Sequence, residues 1–522
     1  MLFNSYFFIF VFLPVTFGVF FLLGRHRELR AAVAWLVIAS LFFYGWWNPA
    51  YVGLIIASIL FNYAAGTMLG RERRSQSMRR AALTFAVVTN LVVRGYYKYA
   101  GFFLTSLNAA LNTGYGLGEI ILPLGISFFT FTQIAYLVDA YRGEAREYRF
   151  LHYARFLHYA LFVTYFPHLI AGPILHHKEM MPQFGQRSIY RFDGTSFGAG
   201  MTYFVLGLFK KVIIADGLAK FASPVFAAAS HSQTISSIDA WGGALSYTFQ
   251  LYFDFSGYSD MAIGLALMMG IRLPLNFNSP YKAVNIIDFW RRWHMTLSRF
   301  LRDYLYFSLG GNRHGETRRY ANLLLTMALG GLWHGAGWTF VLWGTLHGFY
   351  LMVNHAWQTV RQRLGQDLER RTVLGTFVGS AITFLAVVVG WVFFRADTLG
   401  TARRLLESMF VLHGSQVSPF YALAIQDAPV ARWLRLVVSN PTSEVVLLVM
   451  LLVPAAIAFL APNTQQIFAR YYVPPQRSVD PSATSSAILW SPRRAFAVVA
   501  GVAAAWAILG LTQVSEFLYF QF

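Results

Sequence analysis

Long apolar runs separated by short connections account for most of the chain. The first run, Leu2 to Leu23, has no basic residue before it and no small-residue cleavage site, so it predicts a retained membrane span and not a signal peptide. Similar runs recur as far as the C-terminus, which predicts roughly ten to thirteen membrane elements, some of them re-entrant, in one membrane domain over residues 1–522. The further runs cover approximately residues 31–47, 51–70, 81–104, 118–140, 156–176, 198–221, 240–271, 320–350, 373–394, 443–461 and 495–517.

The basic residues of the connections predict an orientation. Arginines follow the first, third and fifth runs, whereas the alternate connections Trp46–Tyr51 and Thr105–Glu119 contain no Lys or Arg. Because cytoplasmic loops carry the excess of positive charge, the N-terminus is expected on the periplasmic side. The arginines that carry this prediction are Arg25, Arg27, Arg30, Arg71, Arg73, Arg74, Arg79, Arg80, Arg142, Arg146 and Arg149.

Composition narrows the class of protein further. Hydrophobic residues make up 56% and charged residues only 12% of the 522 residues, and the mean hydropathy is +0.47. These values exclude a soluble multidomain enzyme and a disordered chain. The net charge of +19 is therefore assigned to cytoplasmic loops and anionic lipid headgroups, and no nucleic-acid partner is expected. Since the chain contains no cysteine, it has no disulfide and no thiolate nucleophile.

A polar stripe interrupts the apolar run at 240–271. On a helix, Tyr247, Gln250, Asp254, Tyr258 and Met261 are three or four residues apart and share one face. Polar groups in a membrane element are costly, so each is a candidate for function. The stripe has two interpretations: a seam of hydrogen bonds between helices, or the wall of a water-filled tunnel.

Aromatic and charged residues alternate at helical spacing between Asp288 and Tyr304. The pattern predicts one helix, too charged to cross lipid, with Arg291, His294 and Ser298 on a common face and with Asp288 and Arg292 as an (i, i+4) pair. One interpretation is a basic amphipathic helix that binds lipid phosphates. The other is a cytoplasmic entrance that attracts an anionic donor such as acyl-coenzyme A.

A single histidine, His334, lies within the apolar stretch Leu329–Trp338, among four glycines and two tryptophans. Glycine allows another backbone or a substrate to approach closely, and tryptophan can form the wall of an apolar slot. A histidine at this depth suits a general base, because its ordinary pKa lies near neutrality. Five further histidines show no recognisable spacing to a partner and are predicted to be packing or interfacial residues: His152, His158, His168, His347 and His355. No metal site is expected.

Several longer strings resemble the membrane-bound O-acyltransferase superfamily, and within it the inner-membrane subunit of the alginate O-acetyltransferase branch. The strings are Tyr96–Tyr99, Leu122–Phe131, Leu169–Pro173, Gly207–Val212, Leu251–Met261, Phe289–His294, Leu301–Tyr304, Leu309–Arg313, Gly331–Ala336, Phe393–Ala396 and Phe517–Phe522.

This resemblance implies an all-α polytopic fold, a ring of roughly eleven transmembrane helices with re-entrant or interfacial helices around a central tunnel. It implies an enzyme of the bacterial inner membrane that moves an acetyl group from a cytoplasmic thioester of acetyl-CoA type to an exopolysaccharide hydroxyl. No permanently bound cofactor is expected, and the polymer is alginate or cellulose-like. A periplasmic partner of the SGNH acetyltransferase type is expected to complete the transfer.

The resemblance also assigns roles to residues. His334 matches the family's invariant histidine, and His294 matches a second signature position, so both are predicted to be catalytic. Arg299 is a further candidate, with neighbouring arginines, for holding the donor's phosphates. The residues predicted to bind the donor or substrate are Arg291, Arg292, Ser298, Arg302, Trp333, Tyr252, Asp254 and Tyr258.

Two other functions remain open on the sequence. Many spans and buried polar groups also suit a proton-coupled carrier or flippase, although no repeated half is visible in the chain. An acyltransferase that modifies a lipid or a protein is the second alternative.

Overall fold

The computed structural model describes residues 1–70, 75–144, 152–368, 372–411, 443–475, 488–512 and 518. Within these ranges the regular structure is helical, without strands, as an all-α membrane protein requires. Five of the arginines behind the orientation prediction and most of the C-terminal motif lie outside the described residues. They are Arg71, Arg73, Arg74, Arg146, Arg149 and residues 517 and 519–522.

The described chain forms two compact units, each built from several segments. The first comprises residues 1–208, 258–275 and 464–511, and the second comprises residues 209–257, 276–463 and 512–522. The prediction of one membrane domain over residues 1–522 stays a prediction.

The first unit contains the helices of the N-terminal region. After a π-helical turn at Phe8–Phe12 they are α1 Leu13–Arg25, α2 Leu29–Gly45, α3 Ala50–Leu69, α4 Gln76–Leu111, α5 Ile126–Arg142, α6 His152–Thr164, α7 Phe166–Leu169, α8 His177–Phe184 and α9 Gly194–Phe209, with a 3₁₀ turn at Arg187–Tyr190. Near the C-terminus the same unit adds α19 Thr464–Ile467 and α20 Arg494–Gly510.

Buried polar pairs join the helices of this unit. The amide of Asn62 on α3 and that of Asn90 on α4 exchange hydrogen bonds of 3.1 and 2.7 Å. On α5, the Gln133 amide donates to Ser58 Oγ of α3 at 2.9 Å. Such pairs hold neighbouring helices together in an apolar surrounding.

The second unit contains the remaining helices. They are α10 Asp216–Ser230, α12 Ile286–Arg292, α13 Met295–Phe300, α14 Glu316–His334, α15 Trp338–Arg363, α16 Val373–Arg395, α17 Leu399–Phe410 and α18 Ser443–Phe459. A π-helical turn at Lys210–Ala215 precedes α10, a second one at Leu301–Tyr306 follows α13, and a 3₁₀ turn lies at Pro280–Lys282. Helix α11, Ser237–Met268, contributes residues to both units.

Four helical segments among the described residues have the length and hydropathy of membrane spans: Phe8–Arg25, Ala50–Leu69, Gly194–Ser230 and Val373–Arg395. Three shorter apolar helices, of 10–17 residues, accompany them. The prediction of about eleven transmembrane helices is therefore not confirmed as a number.

Two predicted elements are wrong in a way that matters for the site. The run at 320–350 is not one element, because it breaks between His334 and Trp338 into α14 and α15. The charged segment from Asp288 to Tyr304 is not one helix either, because α12 ends at Arg292 and α13 begins at Met295. Each break places a histidine at the end of a helix.

Candidate active site

His334 is the last residue of α14, at the turn of a helical hairpin. Residues 335–337 connect α14 to α15, and Gly335 and Gly337 are both extended, with φ of −150° and −165°. The two arms approach closely where glycines face each other: a Cβ on Gly331 would overlap the Phe340 carbonyl oxygen, and one on Gly344 would overlap that of Met327. Glycine was expected to allow the close approach of a backbone or of a substrate. At Gly331 the structure shows the close approach of a backbone.

His294 lies in the break between α12 and α13, in a strained conformation. Its φ of 41° and ψ of 53° are left-handed, which costs a residue with a side chain about 1–3 kcal/mol. The segment at Asn276 secures this conformation, because Asn276 O accepts a hydrogen bond of 2.9 Å from Met295 N. Strain of this kind is concentrated at functional sites.

Asn276 also decides the proton position on the His294 ring. His294 Nδ1 lies 3.2 Å from Asn276 Oδ1, and an amide oxygen can only accept, so Nδ1 carries the proton. Thr296 Oγ1 donates to the same oxygen at 2.6 Å. In the neutral ring the lone pair then belongs to Nε2. That nitrogen is buried and has no hydrogen-bond partner among the residues that the structure describes.

The two predicted catalytic histidines lie side by side. Their ring centroids are 6.2 Å apart, and both are buried, with exposed fractions of 0% for His294 and 8% for His334. Trp333 contacts both rings, at centroid distances of 6.1 and 4.9 Å. One carbonyl group placed between the rings would lie within reach of both of them.

Aromatic side chains from three helices complete the surroundings. Trp343 of α15 and Phe394 of α16 each lie 5.2 Å from the His334 ring, and Phe255 of α11 lies 4.7 Å from the His294 ring. The histidine pair therefore lies in a largely apolar environment, where hydrogen bonds and charges act more strongly than in water.

His347 lies beside the histidine pair, a placement that the sequence pattern did not predict. Its ring lies 4.9 Å from Trp343 and 5.4 Å from Trp290, so it belongs to the same aromatic cluster as His334. Both of its ring nitrogens are buried, with no hydrogen-bond partner within the described ranges. A continuous helix through 320–350 would have put His347 on nearly the opposite face from His334. In the sequence, the glycines at 335 and 337 indicated that the helix ends between His334 and Trp338.

The predicted donor-binding arginines are more exposed than the histidine pair. Arg291 and Arg302 are exposed, and Arg302 forms an ion pair of 2.7 Å with Asp303. The predicted pair of Asp288 and Arg292 is confirmed at 2.8 Å. Since the chain turns at His294, the common face predicted for Arg291, His294 and Ser298 does not exist, and Ser298 Oγ is directed to Trp293 O at 3.4 Å.

The polar stripe on α11 is buried, and Asp254 within it forms part of a charge cluster. Lys211 Nζ lies 2.5 Å from Asp254 Oδ1 and 2.7 Å from Asp216 Oδ1. At Asp254, the polar stripe therefore contributes to a seam of polar contacts between helical segments. Tyr252 packs at 5.3 Å on Tyr281, and Tyr258, in the first unit, stacks on Phe3 at 4.6 Å.

Comparison with known proteins identifies the family. Residues 107–389, which include both histidines of the pair, match the model of the membrane-bound O-acyltransferase family. The chain therefore belongs to this family and is an acyltransferase and a multi-pass membrane protein.

Named relatives cover most of the chain. A protein named "Peptidoglycan O-acetyltransferase" from Helicobacter pylori is 44% identical over 79% of this chain and 80% of its own length. "Probable alginate O-acetylase AlgI" from Pseudomonas aeruginosa is 46% identical over 80% of this chain and 76% of its own length. A "Teichoic acid D-alanyltransferase" from Streptococcus thermophilus is 25% identical over 70% of this chain and 86% of its own length.

Proposed function

We propose that this chain O-acetylates a polysaccharide on the periplasmic side of the bacterial inner membrane, using a cytoplasmic thioester of acetyl-CoA type. The observation that carries the proposal is the buried pair of His294 and His334, with ring centroids 6.2 Å apart, in a chain of an acyltransferase family. A polysaccharide acceptor is supported by the names of two relatives, a peptidoglycan O-acetyltransferase and a probable alginate O-acetylase.

In the proposed reaction His334 acts as the general base. The acceptor hydroxyl gives its proton to the imidazole, and its oxygen forms a bond with the acetyl carbonyl carbon. The carbon–sulfur bond of the thioester then breaks, and the leaving thiolate takes up the proton from the imidazolium, which restores neutral His334. A positioned base of this kind contributes about 10²–10⁴-fold to the rate.

His294 has a complementary part in this scheme. With its proton held on Nδ1 by Asn276 Oδ1, the ring presents a lone pair at Nε2 and accepts a hydrogen bond. It can therefore orient the acceptor hydroxyl or an amide N–H of the donor. Polarising the carbonyl would require a donor at Nε2, so orientation is the role that the geometry favours for the neutral ring.

The remaining parts of the proposal rest on the family resemblance. They are a central tunnel within a ring of about eleven transmembrane helices, a periplasmic N-terminus and a periplasmic partner of the SGNH type that completes the transfer. A tunnel would let a cytoplasmic acetyl group react outside without moving coenzyme A across the bilayer. Family membership favours an acyltransferase over the carrier or flippase that the sequence left open.

The test compares two histidine variants in cells that lack the native copy. His334→Ala should reduce ester-bound acetate, released by mild base from exported polysaccharide and from peptidoglycan, by at least about 10²-fold. Polymer yield and membrane level should stay unchanged. His231→Ala is the control, because this exposed ring hydrogen-bonds to the end of its own helix, at Ala227 O and Ser230 Oγ.

The outcomes separate the candidate acceptors. Loss of acetate from one polymer fraction identifies the acceptor. Normal ester content in the His334→Ala strain would overturn the assignment of the base. Loss confined to the lipid or protein fraction would overturn the polysaccharide and support the second alternative.

A further inference from the structure

A groove of about 1380 Å³ lies in the second unit between α12, α15 and α16. It is larger than the usual pocket for a small molecule, about 300–1,000 Å³. Glycine and threonine on α16, at Gly375, Thr376 and Gly379, form its floor on that side. Large apolar side chains with exposed fractions of 44–63% flank it: Phe349, Val353, Trp357, Val378 and Ile382. Such a surface suits acyl chains.

One end of this groove is basic. Arg291 and Arg361 line it together with His355. Arg319 donates a hydrogen bond of 3.0 Å to His355 Nδ1, so a third guanidinium is directed to the same end. Arg361 is held by Gln366, whose Oε1 accepts from Nε at 2.9 Å. The two lining arginines and the Arg319 that is bonded to His355 thus give the groove three guanidinium groups.

The acidic residues of the groove do not cancel this charge. Asp288 is already paired with Arg292 at 2.8 Å, and Asp367 is the other carboxylate among the described residues that line the groove. Among the described residues, the guanidinium groups of Arg291, Arg361, Arg319 and Arg292 outnumber these two carboxylates. The polar end therefore has a positive excess and complements a phosphate.

The arrangement of the hairpin places this end at a membrane surface. α14 begins near Arg318 and Arg319, and α15 ends at Arg361 and Arg363, so both arms of the hairpin have basic ends on the same side. By the positive-inside rule that side is cytoplasmic. Basic pockets between membrane helices on the cytoplasmic side bind anionic lipid headgroups.

We propose that the groove between α12, α15 and α16 is a binding site for one anionic phospholipid of the cytoplasmic leaflet. Its phosphate lies at Arg291 and Arg361, and its acyl chains lie along the apolar flanks. The proposal is independent of the proposed acetyl transfer, because a protein inactive in transfer would still retain the lipid.

The experiment measures lipids that stay bound to the full-length protein. The protein is equilibrated in mild detergent with equal amounts of phosphatidylglycerol and phosphatidylethanolamine, and native mass spectrometry counts each lipid per chain. We expect one phosphatidylglycerol in preference to phosphatidylethanolamine. Each Arg→Gln change at 291 and 361 should lower the ratio of the two lipids about fivefold.

Matched variants test whether the groove itself is responsible. Arg363→Gln is the charge control, because this exposed arginine ends the same helix and does not line the groove. Thr376→Trp fills the groove and should remove the bound lipid, whereas Phe377→Trp, on the exposed neighbouring position, should not. Equal retention of both lipids, or an equal effect of Arg363→Gln, would overturn the proposal.

A last arm separates the lipid from the acyl donor, which also carries phosphates. Coenzyme A is added in excess before the lipids are counted. Retention of phosphatidylglycerol supports the lipid site. Its selective displacement, with coenzyme A bound in its place, would overturn the lipid assignment in favour of a donor site.

Discussion

The charge cluster around Lys211 makes a ranked prediction about stability. Lys211 and Asp254 are almost fully buried, with side-chain exposures of 1% and 2%, and Asp216 completes the cluster at 9%. Lys211→Met would remove the cation that both buried carboxylates contact. Removing one partner of a buried ion pair typically costs about 3–5 kcal/mol.

Asp254→Asn should cost much less than Lys211→Met. Lys211 keeps its ion pair with Asp216 at 2.7 Å, and the new amide can still accept a hydrogen bond from Nζ. The loss is then that of one charge-assisted hydrogen bond, about 1.5–3 kcal/mol at most. Lys211→Met should therefore unfold at a clearly lower temperature than Asp254→Asn.

The assay follows intrinsic tryptophan fluorescence during heating of the purified variants in one detergent, with acetate ester content measured in parallel. Exposed Arg403→Met, which removes a surface ion pair with Glu407, is the control and should change the unfolding temperature little, because water and salt screen exposed ion pairs. An Asp254→Asn protein as unstable as Lys211→Met would refute this reasoning. If Asp254→Asn kept its stability but lost all acetylation, Asp254 would belong to the chemistry.

Three further predictions concern the site, the hairpin and the orientation. Asn276→Leu removes the acceptor that fixes the His294 proton and should lower acetate ester content about 5–150-fold at a normal membrane level. Thr296→Val keeps that acceptor and should lower the ester content less. Equal losses in the two variants would argue against the assigned proton position. Gly344→Ala would overlap the Met327 carbonyl oxygen and should cost about 1–3 kcal/mol, visible as a lower melting temperature, while Gly18→Ala, with open space around it, should be neutral. Because the chain has no cysteine, Gly116→Cys should react with an impermeant maleimide in spheroplasts and His26→Cys only after permeabilisation; the reverse pattern would invert the topology.

The helices themselves were largely predictable from the sequence. Runs at 51–70 and 373–394 correspond to α3 Ala50–Leu69 and α16 Val373–Arg395 within a residue, because a membrane helix needs a long apolar stretch and little else. The pairing of Asp288 with Arg292 was equally predictable, since it depends only on local helical spacing.

The arrangement of the site was harder to predict from the sequence. The break at His294 adopts a positive φ at a residue that is not glycine, and it depends on hydrogen bonds that the distant Asn276 accepts. The contact of Lys211 with Asp254 likewise joins two segments far apart in sequence. Local patterns predict elements, but such contacts arise only when the helices pack.

The position of His334 at the end of α14 has an electrostatic consequence. The last carbonyl groups of a helix point beyond its C-terminus, where the aligned peptide dipoles act as about half a negative charge. In the proposed transfer the His334 ring is positive only while it holds the acceptor's proton. The helix end would favour that short-lived cation by about 0.3–1 kcal/mol or somewhat more when partly buried, so the break that creates the hairpin would also supply a fixed counter-charge for the step.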